Sequence, residues 1–156
     1  MIHICVIGLR GVGKTHFINA VSIGHGYTIR PTTGFYEESF KLDETHKIHL
    51  VECARLDYLV LRHEQFAGLL WIVDAHADYE TLQASKNYFL SIAHKFERIG
   101  VIYNVKKPQN SFRKRNKVLQ LDCLAQPTFV IDVDYSQEWQ EKVWCLWYFF
   151  VNGRGR

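Results

Sequence analysis

The sequence predicts an α/β fold built on a six-stranded, mostly parallel sheet with one antiparallel hairpin strand and helices on both faces. Three observations predict it. Short apolar runs alternate along the chain with stretches of helical periodicity, the pattern of strands joined by crossover helices. A glycine-rich segment follows the first apolar run directly and opens the first helical stretch. A short polar turn, Asp43-Glu44-Thr45-His46, separates two strand-like runs and makes that pair a hairpin.

Strands are expected at 2–7 (IHICVI), 37–42, 47–53 (KIHLVEC), 69–74 (LLWIVD), 99–105 (IGVIYNV) and 128–133 (TFVIDV). The first helix runs from about Lys14 to Ser22 and stops near Gly24 and Gly26, as glycine ends a helix. A second helix, about 78–96, carries Leu82, Ser85, Phe89, Ile92 and Phe96 at intervals of three or four, so that stripe should face the sheet. The last helix, about 136–151, repeats the pattern with Trp139, Val143, Leu146, Trp147 and Phe150. Ser136 can start it, but Trp139 stands where a capping box needs Glu, so the box is only half present. Trp144 and Tyr148 fall beside the buried stripe, as core-edge packing or as a partner surface.

At 156 residues the chain has room for one domain, 1–156, with one core. Its 47% hydrophobic and 22% charged residues exclude a disordered or collagen-like chain. A net charge of +3 argues for neither nucleic acid nor membrane. Six basic residues fall within Lys106–Lys117 with no acid among them, so the positive charge is local. A short basic loop of that kind is more often a solvated edge than a phosphate-rich docking strip. Four scattered cysteines without a CxxC pair fit a reducing compartment. No apolar run is long enough to span a bilayer, and Ile2 stands where N-myristoylation needs glycine, so no intrinsic lipid anchor is expected. The expectation is a cytoplasmic protein that reaches membranes or the cilium only through partners. The eight histidines show no metal-ligand spacing, and a structural role is the default for His16, His25 and His76 alike.

Gly8-Leu9-Arg10-Gly11-Val12-Gly13-Lys14-Thr15 fits GxxxxGK[ST] at every fixed position, between a strand and a helix. Gly11 and Gly13 let the backbone wrap closely round phosphate, with positive φ where needed. Backbone N–H groups at the helix start then point at the anion. Lys14 adds a cation for the β- and γ-phosphates, and Thr15 a hydroxyl for Mg²⁺. This is the phosphate loop of the three-layer P-loop NTPase fold. It implies nucleotide binding without choosing the base or guaranteeing hydrolysis.

Beyond the loop the chain resembles the small GTPases of the Ras superfamily, in their Arf-like branch. Arg30-Pro31-Thr32-Thr33-Gly34-Phe35 resembles the switch I element PTxGF at the family's spacing, which implies Thr32 as the second hydroxyl on Mg²⁺. The hairpin at 37–53 resembles the interswitch, and Leu69–Asp74 the strand ending in VD. The resemblance implies GTP and GDP as ligands with Mg²⁺. It also implies an effector protein engaged through switch I and the interswitch, and turnover through an exchange factor or activating protein. It adds Asn104, the first residue of a damaged NKxD motif, to Gly8, Arg10, Gly11, Val12, Gly13, Lys14, Thr15 and His16 as candidate nucleotide-binding residues, with Thr15 and Thr32 at the metal.

The chain departs from that family at three places. Glu52-Cys53-Ala54-Arg55-Leu56 stands where the family has DxxGQ. Glu52 is one methylene longer than the Asp that holds Mg²⁺ through water. Arg55 replaces the glycine at the γ-phosphate. Leu56 has no polar atom with which to orient water, so no catalytic residue is assigned and the chain is at most a slow GTPase. Residues 57–67 make a short switch II. In Asn104-Val105-Lys106-Lys107, Lys107 replaces the aspartate that accepts two hydrogen bonds from guanine, and a lysine cannot accept them. Asp132 or Asp134 could supply a carboxylate instead, though a solvated loop acid is the plainer reading. No SAK-like motif is recognisable around Val133-Asp134-Tyr135.

These departures leave a second reading, a pseudo-GTPase kept as an interaction domain. A third is a small P-loop kinase, which the region between Asp74 and Arg98 disfavours because it offers no evident lid.

Overall fold

A computed structural model describes residues 1–22, 35–53, 55–105, 126–135 and 138–152, with the backbone alone at Phe35 and Leu56. Six strands form one sheet: β1 (Ile2–Ile7), β2 (Phe35–Lys41), β3 (Lys47–Cys53), β4 (Gly68–Asp74), β5 (Ile99–Asn104) and β6 (Thr128–Val133). Their order is β2-β3-β1-β4-β5-β6, with β2 and β3 antiparallel and every other pair parallel. The helices are α1 (Lys14–Ser22), α2 (Leu56–Arg62), α3 (Tyr79–Ala93) and α4 (Trp139–Asn152), with a 3-10 turn at His63–Gln65. Among the described residues no helix is long and apolar enough to cross a membrane.

The expected topology is the observed one, and the differences lie at element ends. β2 begins at Phe35 and stops at Lys41, because the chain turns back at Leu42, whose N–H donates to the His46 carbonyl. The turn is held by Asp43, whose carboxylate accepts the Thr45 and His46 N–H groups. α3 is shorter than the apolar stripe implied. Asp78 caps its start by accepting the Thr81 N–H at 2.8 Å, and the chain leaves the helix after Ala93. Phe96 is still buried, but from the turn beyond. The segment 57–67, read above as a short switch II, falls in α2 and the 3-10 turn. Gly24, Gly26, His25 and Ser136 lie outside the described residues, so the expected glycine stop and half capping box do too.

Strand alternation sorts the core into two layers. One face carries Ile4, Val6, Leu50 and Ile72 against α1 and the Val143-Leu146-Trp147-Phe150 stripe of α4. The other carries Cys5, Val51, Trp71 and Val101 against Leu59 of α2 and the Leu82-Phe89-Ile92 stripe of α3. Both predicted helical stripes are buried, Ser85 included, while Trp144 and Tyr148 are exposed.

The topology also positions a site. β1 lies between β3 and β4: the chain leaves β1 through α1 on one face of the sheet, and passes from β3 to β4 through α2 on the other. Ligands of open α/β sheets bind at such a reversal, outside the carboxyl ends of the strands. Gly8, Glu52, Asp74 and Asn104 all stand at that edge.

Candidate functional site: a phosphate loop with an altered base end

Gly8–Gly13 link β1 to α1 as a loop. Gly11 and Gly13 have φ of 81° and 95°, in the left-handed region that glycine enters without strain. Gly13 is constrained twice over, because a Cβ there would lie 2.5 Å from Asn104 Nδ2. The cradle is therefore kept open by the missing side chain. α1 follows at once, with the Phe17 N–H donating to the Gly13 carbonyl at 2.9 Å. The free N–H groups before it carry the positive end of the helix.

Lys14 turns back over this loop. Its Nζ donates to the Gly8 and Leu9 carbonyls at 3.0 Å each, and Glu52 Oε1 lies 4.0 Å away. Burial lowers the Lys14 pKa and the Glu52 carboxylate opposes the shift. The ammonium is thus held over the loop by two backbone carbonyls. Thr15 Oγ1 donates to Glu52 Oε2 at 2.7 Å. The register of β1 with β3 explains the contact, since Val6 pairs with Glu52 and brings that carboxylate to the mouth of the loop. The extra methylene that sets Glu52 apart from aspartate does not prevent it from reaching the hydroxyl.

Glu52 belongs to this site although the motif does not include it. Its sequence signal is its place at the start of Glu52-Cys53-Ala54-Arg55-Leu56, where the resembled family has the Asp that holds Mg²⁺ through water. A hydroxyl beside a carboxylate is an oxygen donor set of the kind that suits Mg²⁺. Among the described residues no group of three or more His, Cys, Asp or Glu stands ready to hold a metal, so phosphate oxygens would have to complete such a shell. Thr32, the other expected metal hydroxyl, lies outside the described residues.

Arg55 is exposed and turns away from the loop, where it forms a two-pronged pair with Asp57: Nε to Oδ1 at 3.1 Å and Nη2 to Oδ2 at 2.5 Å. The Leu56 backbone starts α2.

At the base end, Asn104 is buried and its Nδ2 donates to the Val12 carbonyl at 2.8 Å. That bond ties β5 to the phosphate loop. Asn104 Oδ1 has no partner among the described residues. Val105 packs into the α3-side core and does not line the site. Lys106 and Lys107, with the rest of the basic run, lie outside the described residues. Asp132 is exposed on β6. Its pKa is raised by partial desolvation and by Asp134, against the pull of Lys142. Arg10 is exposed on the loop and His16 on the first turn of α1.

Gly8, Gly11, Val12, Gly13, Lys14, Thr15 and Asn104 thus stand together at the carboxyl ends of β1 and β5. A cavity of about 800 Å³ at the other end of the sheet, lined by His3, His46 and His63 among others, shares no residue with them.

No protein-family model matches the chain, and no curated protein does. Solved structures are similar over its whole length. The chain aligns with T. brucei IFT22 in its GDP-bound crystal structure at TM-score 0.62 and 12% identity, covering 98% of this chain and 97% of that one. It aligns with the T. brucei IFT22/74/81 GTP-bound crystal structure at TM-score 0.63 and 12% identity, covering 98% and 96%. An SsGBP mutation variant matches at TM-score 0.64 and 17% identity, over 99% of this chain but 57% of that one. At such identities the likeness establishes fold, and it does not single out the Arf-like branch. The chain has the P-loop NTPase fold that IFT22 shows in its GDP-bound and GTP-bound crystal structures.

Proposed function

We propose that the chain is a small GTP-binding protein of Arf-like type, a nucleotide-dependent switch or scaffold in intracellular trafficking or signalling. It takes GTP and GDP with Mg²⁺ and hydrolyses GTP weakly on its own. The observation that carries this reading is Lys14, fixed over an open glycine cradle by two carbonyl oxygens at 3.0 Å. A cation prepared in that way costs little reorganisation when phosphate arrives. Thr15 and Glu52 would hold Mg²⁺, which would supply positive charge to offset that of the phosphates. Asn104 braces the loop from β5. Leu56 at the water-orienting position supports slow turnover that depends on an activating protein, and an exchange factor would reset the cycle.

Effector contact is assigned to switch I and the β2–β3 hairpin. The IFT22/74/81 structure, in which IFT22 is found with IFT74 and IFT81, supports protein partners for this fold. Localisation through such partners, at cytoplasmic faces of membranes or at the cilium, belongs to the same proposal.

Calorimetry on nucleotide-stripped protein tests the reading. Mg·GTP and GDP should bind, and absence of heat with both overturns it. Within that experiment Glu52→Gln has its own expected result. The gain in GTP affinity on adding Mg²⁺ should fall about tenfold, with Mg²⁺-free affinity little changed. An unaltered Mg²⁺ dependence would show that Glu52 plays no part at the metal.

One observation favours a second reading. Lys14, Thr15 and Glu52 pair with one another across the mouth of the loop. A loop so balanced can persist in a pseudo-GTPase whose surfaces alone are used.

A further inference from the structure

Among the described residues, three buried side-chain polar atoms lack a hydrogen-bond partner: Tyr103 OH, Asn104 Oδ1 and Tyr135 OH. Native proteins hold few such atoms, and each calls for an explanation. All three stand at the carboxyl ends of β5 and β6. Tyr103 faces the α3 side, while Asn104 and Tyr135 are on the side of the phosphate loop.

Tyr135 is unusual in a second way. Its φ of 59° makes it the one non-glycine residue in the left-handed region among those described. That conformation is costly for a bulky side chain and persists only where the surroundings impose it. Here the Tyr135 ring packs against the first turn of α1 and the start of α4. The Tyr135 ring centroid is 4.8 Å from His16 and 5.3 Å from Trp139. His16 directly follows Thr15, so this aromatic face begins where the phosphate cradle ends. It is partly open, with Tyr135 half-buried and His16 exposed.

We propose that Tyr135, buttressed by His16 and Trp139, is the surface on which the base of a bound nucleotide stacks, so that the site takes purine nucleotides with little preference between guanine and adenine. The inference rests on the phosphate-loop reading above and names what lies beyond it.

Three steps carry it. The geometry places the ring beside the first turn of α1, with Asn104 linking β5 to the same loop. β6 is held to β5 there by the Val105 N–H donating to the Val133 carbonyl at 2.8 Å. A stacking face then reads the π-surface common to all bases, not their edges, so larger purines gain over pyrimidines while guanine and adenine do not separate. The Tyr135 hydroxyl is buried and lies in the plane of its own ring, so it does not read the edge of a base stacked on that ring.

The experiment is competitive binding on stripped full-length protein with Mg·GTP, Mg·ATP, Mg·UTP and Mg·tripolyphosphate, for the natural chain and for Tyr135→Leu and Tyr135→Trp. GTP and ATP should bind within about tenfold of each other, and UTP and tripolyphosphate more weakly. Tyr135→Leu should weaken GTP and ATP by about tenfold or more while leaving tripolyphosphate unchanged, and Tyr135→Trp should restore both nucleotides. Tyr135→Leu binding GTP like the natural chain overturns the stack, and so does a GTP preference over ATP of about a thousandfold, which would mean edge reading. Equal loss of tripolyphosphate in Tyr135→Leu also overturns it, because the residue would then merely support the loop. If the natural chain binds neither nucleotide nor tripolyphosphate, the phosphate-loop reading itself falls, and the two failures are told apart.

Discussion

Replacing Lys14 with alanine should weaken GTP binding by roughly a hundredfold, the scale of a lost charge-assisted hydrogen bond to an ionised group. The loop keeps its glycines and its helix N-terminus in this variant, so backbone N–H groups remain to meet phosphate. What disappears is the ammonium held at 3.0 Å from the Gly8 and Leu9 carbonyls. Glu52 also loses its countercharge and faces the phosphates as an uncompensated anion beside Thr15. Both changes act in the same direction. Titration calorimetry gives the ratio directly, and a loss below about fivefold would mean that Lys14 is not at the phosphates. The same variant separates the two functional readings. A nucleotide-dependent switch loses its effector along with GTP, whereas a docking module keeps its partner.

Replacing Trp71 with alanine should cost about 3–5 kcal/mol of stability, enough to unfold a chain of ordinary margin. Trp71 is fully buried at the centre of the sheet. Its ring stacks on Phe89 of α3 with centroids 4.2 Å apart and planes 4° from parallel. Its indole N–H donates to Ser85 Oγ at 3.1 Å, so truncation opens a cavity and also removes the partner of a buried hydroxyl. Denaturant unfolding should show the midpoint shifted with the slope unchanged, and Trp71→Phe should recover much of the loss by refilling the cavity. A shift worth less than about 1 kcal/mol would show that α3 does not depend on this contact.

The two cases differ in how far the chain itself revealed them. The Lys14 site rests on residues within one short stretch, where Gly8, Gly11 and Gly13 followed by Lys14 and Thr15 between a strand and a helix already imply an anion cradle. Trp71 and the Leu82-Ser85-Phe89 stripe were legible as sheet and helix faces through their spacing. Ser85 is the one polar member of that stripe, and the packed structure supplies its reason, a buried indole N–H that needs an acceptor.

The base end was hard to read for a different cause. The NKxD motif that Asn104–Lys107 resembles is altered at Val105 and Lys107, so comparison by letters returns only losses. The compensation lies in conformation. No propensity announces that Tyr135 will take a left-handed backbone and fold onto His16, since that follows from how β6, α1 and α4 converge.

The sequence alone determined the α/β class, the antiparallel hairpin, the two buried helical stripes and the phosphate loop, because each depends on neighbours a few residues apart. Tertiary structure decided what depends on distant partners. Thr15 meets Glu52 across 37 positions through the β1–β3 register. Asn104 meets Val12 across 92, through the ordering of β5 beyond β4. Such contacts are set by strand order and register, which the letters of any one segment do not contain.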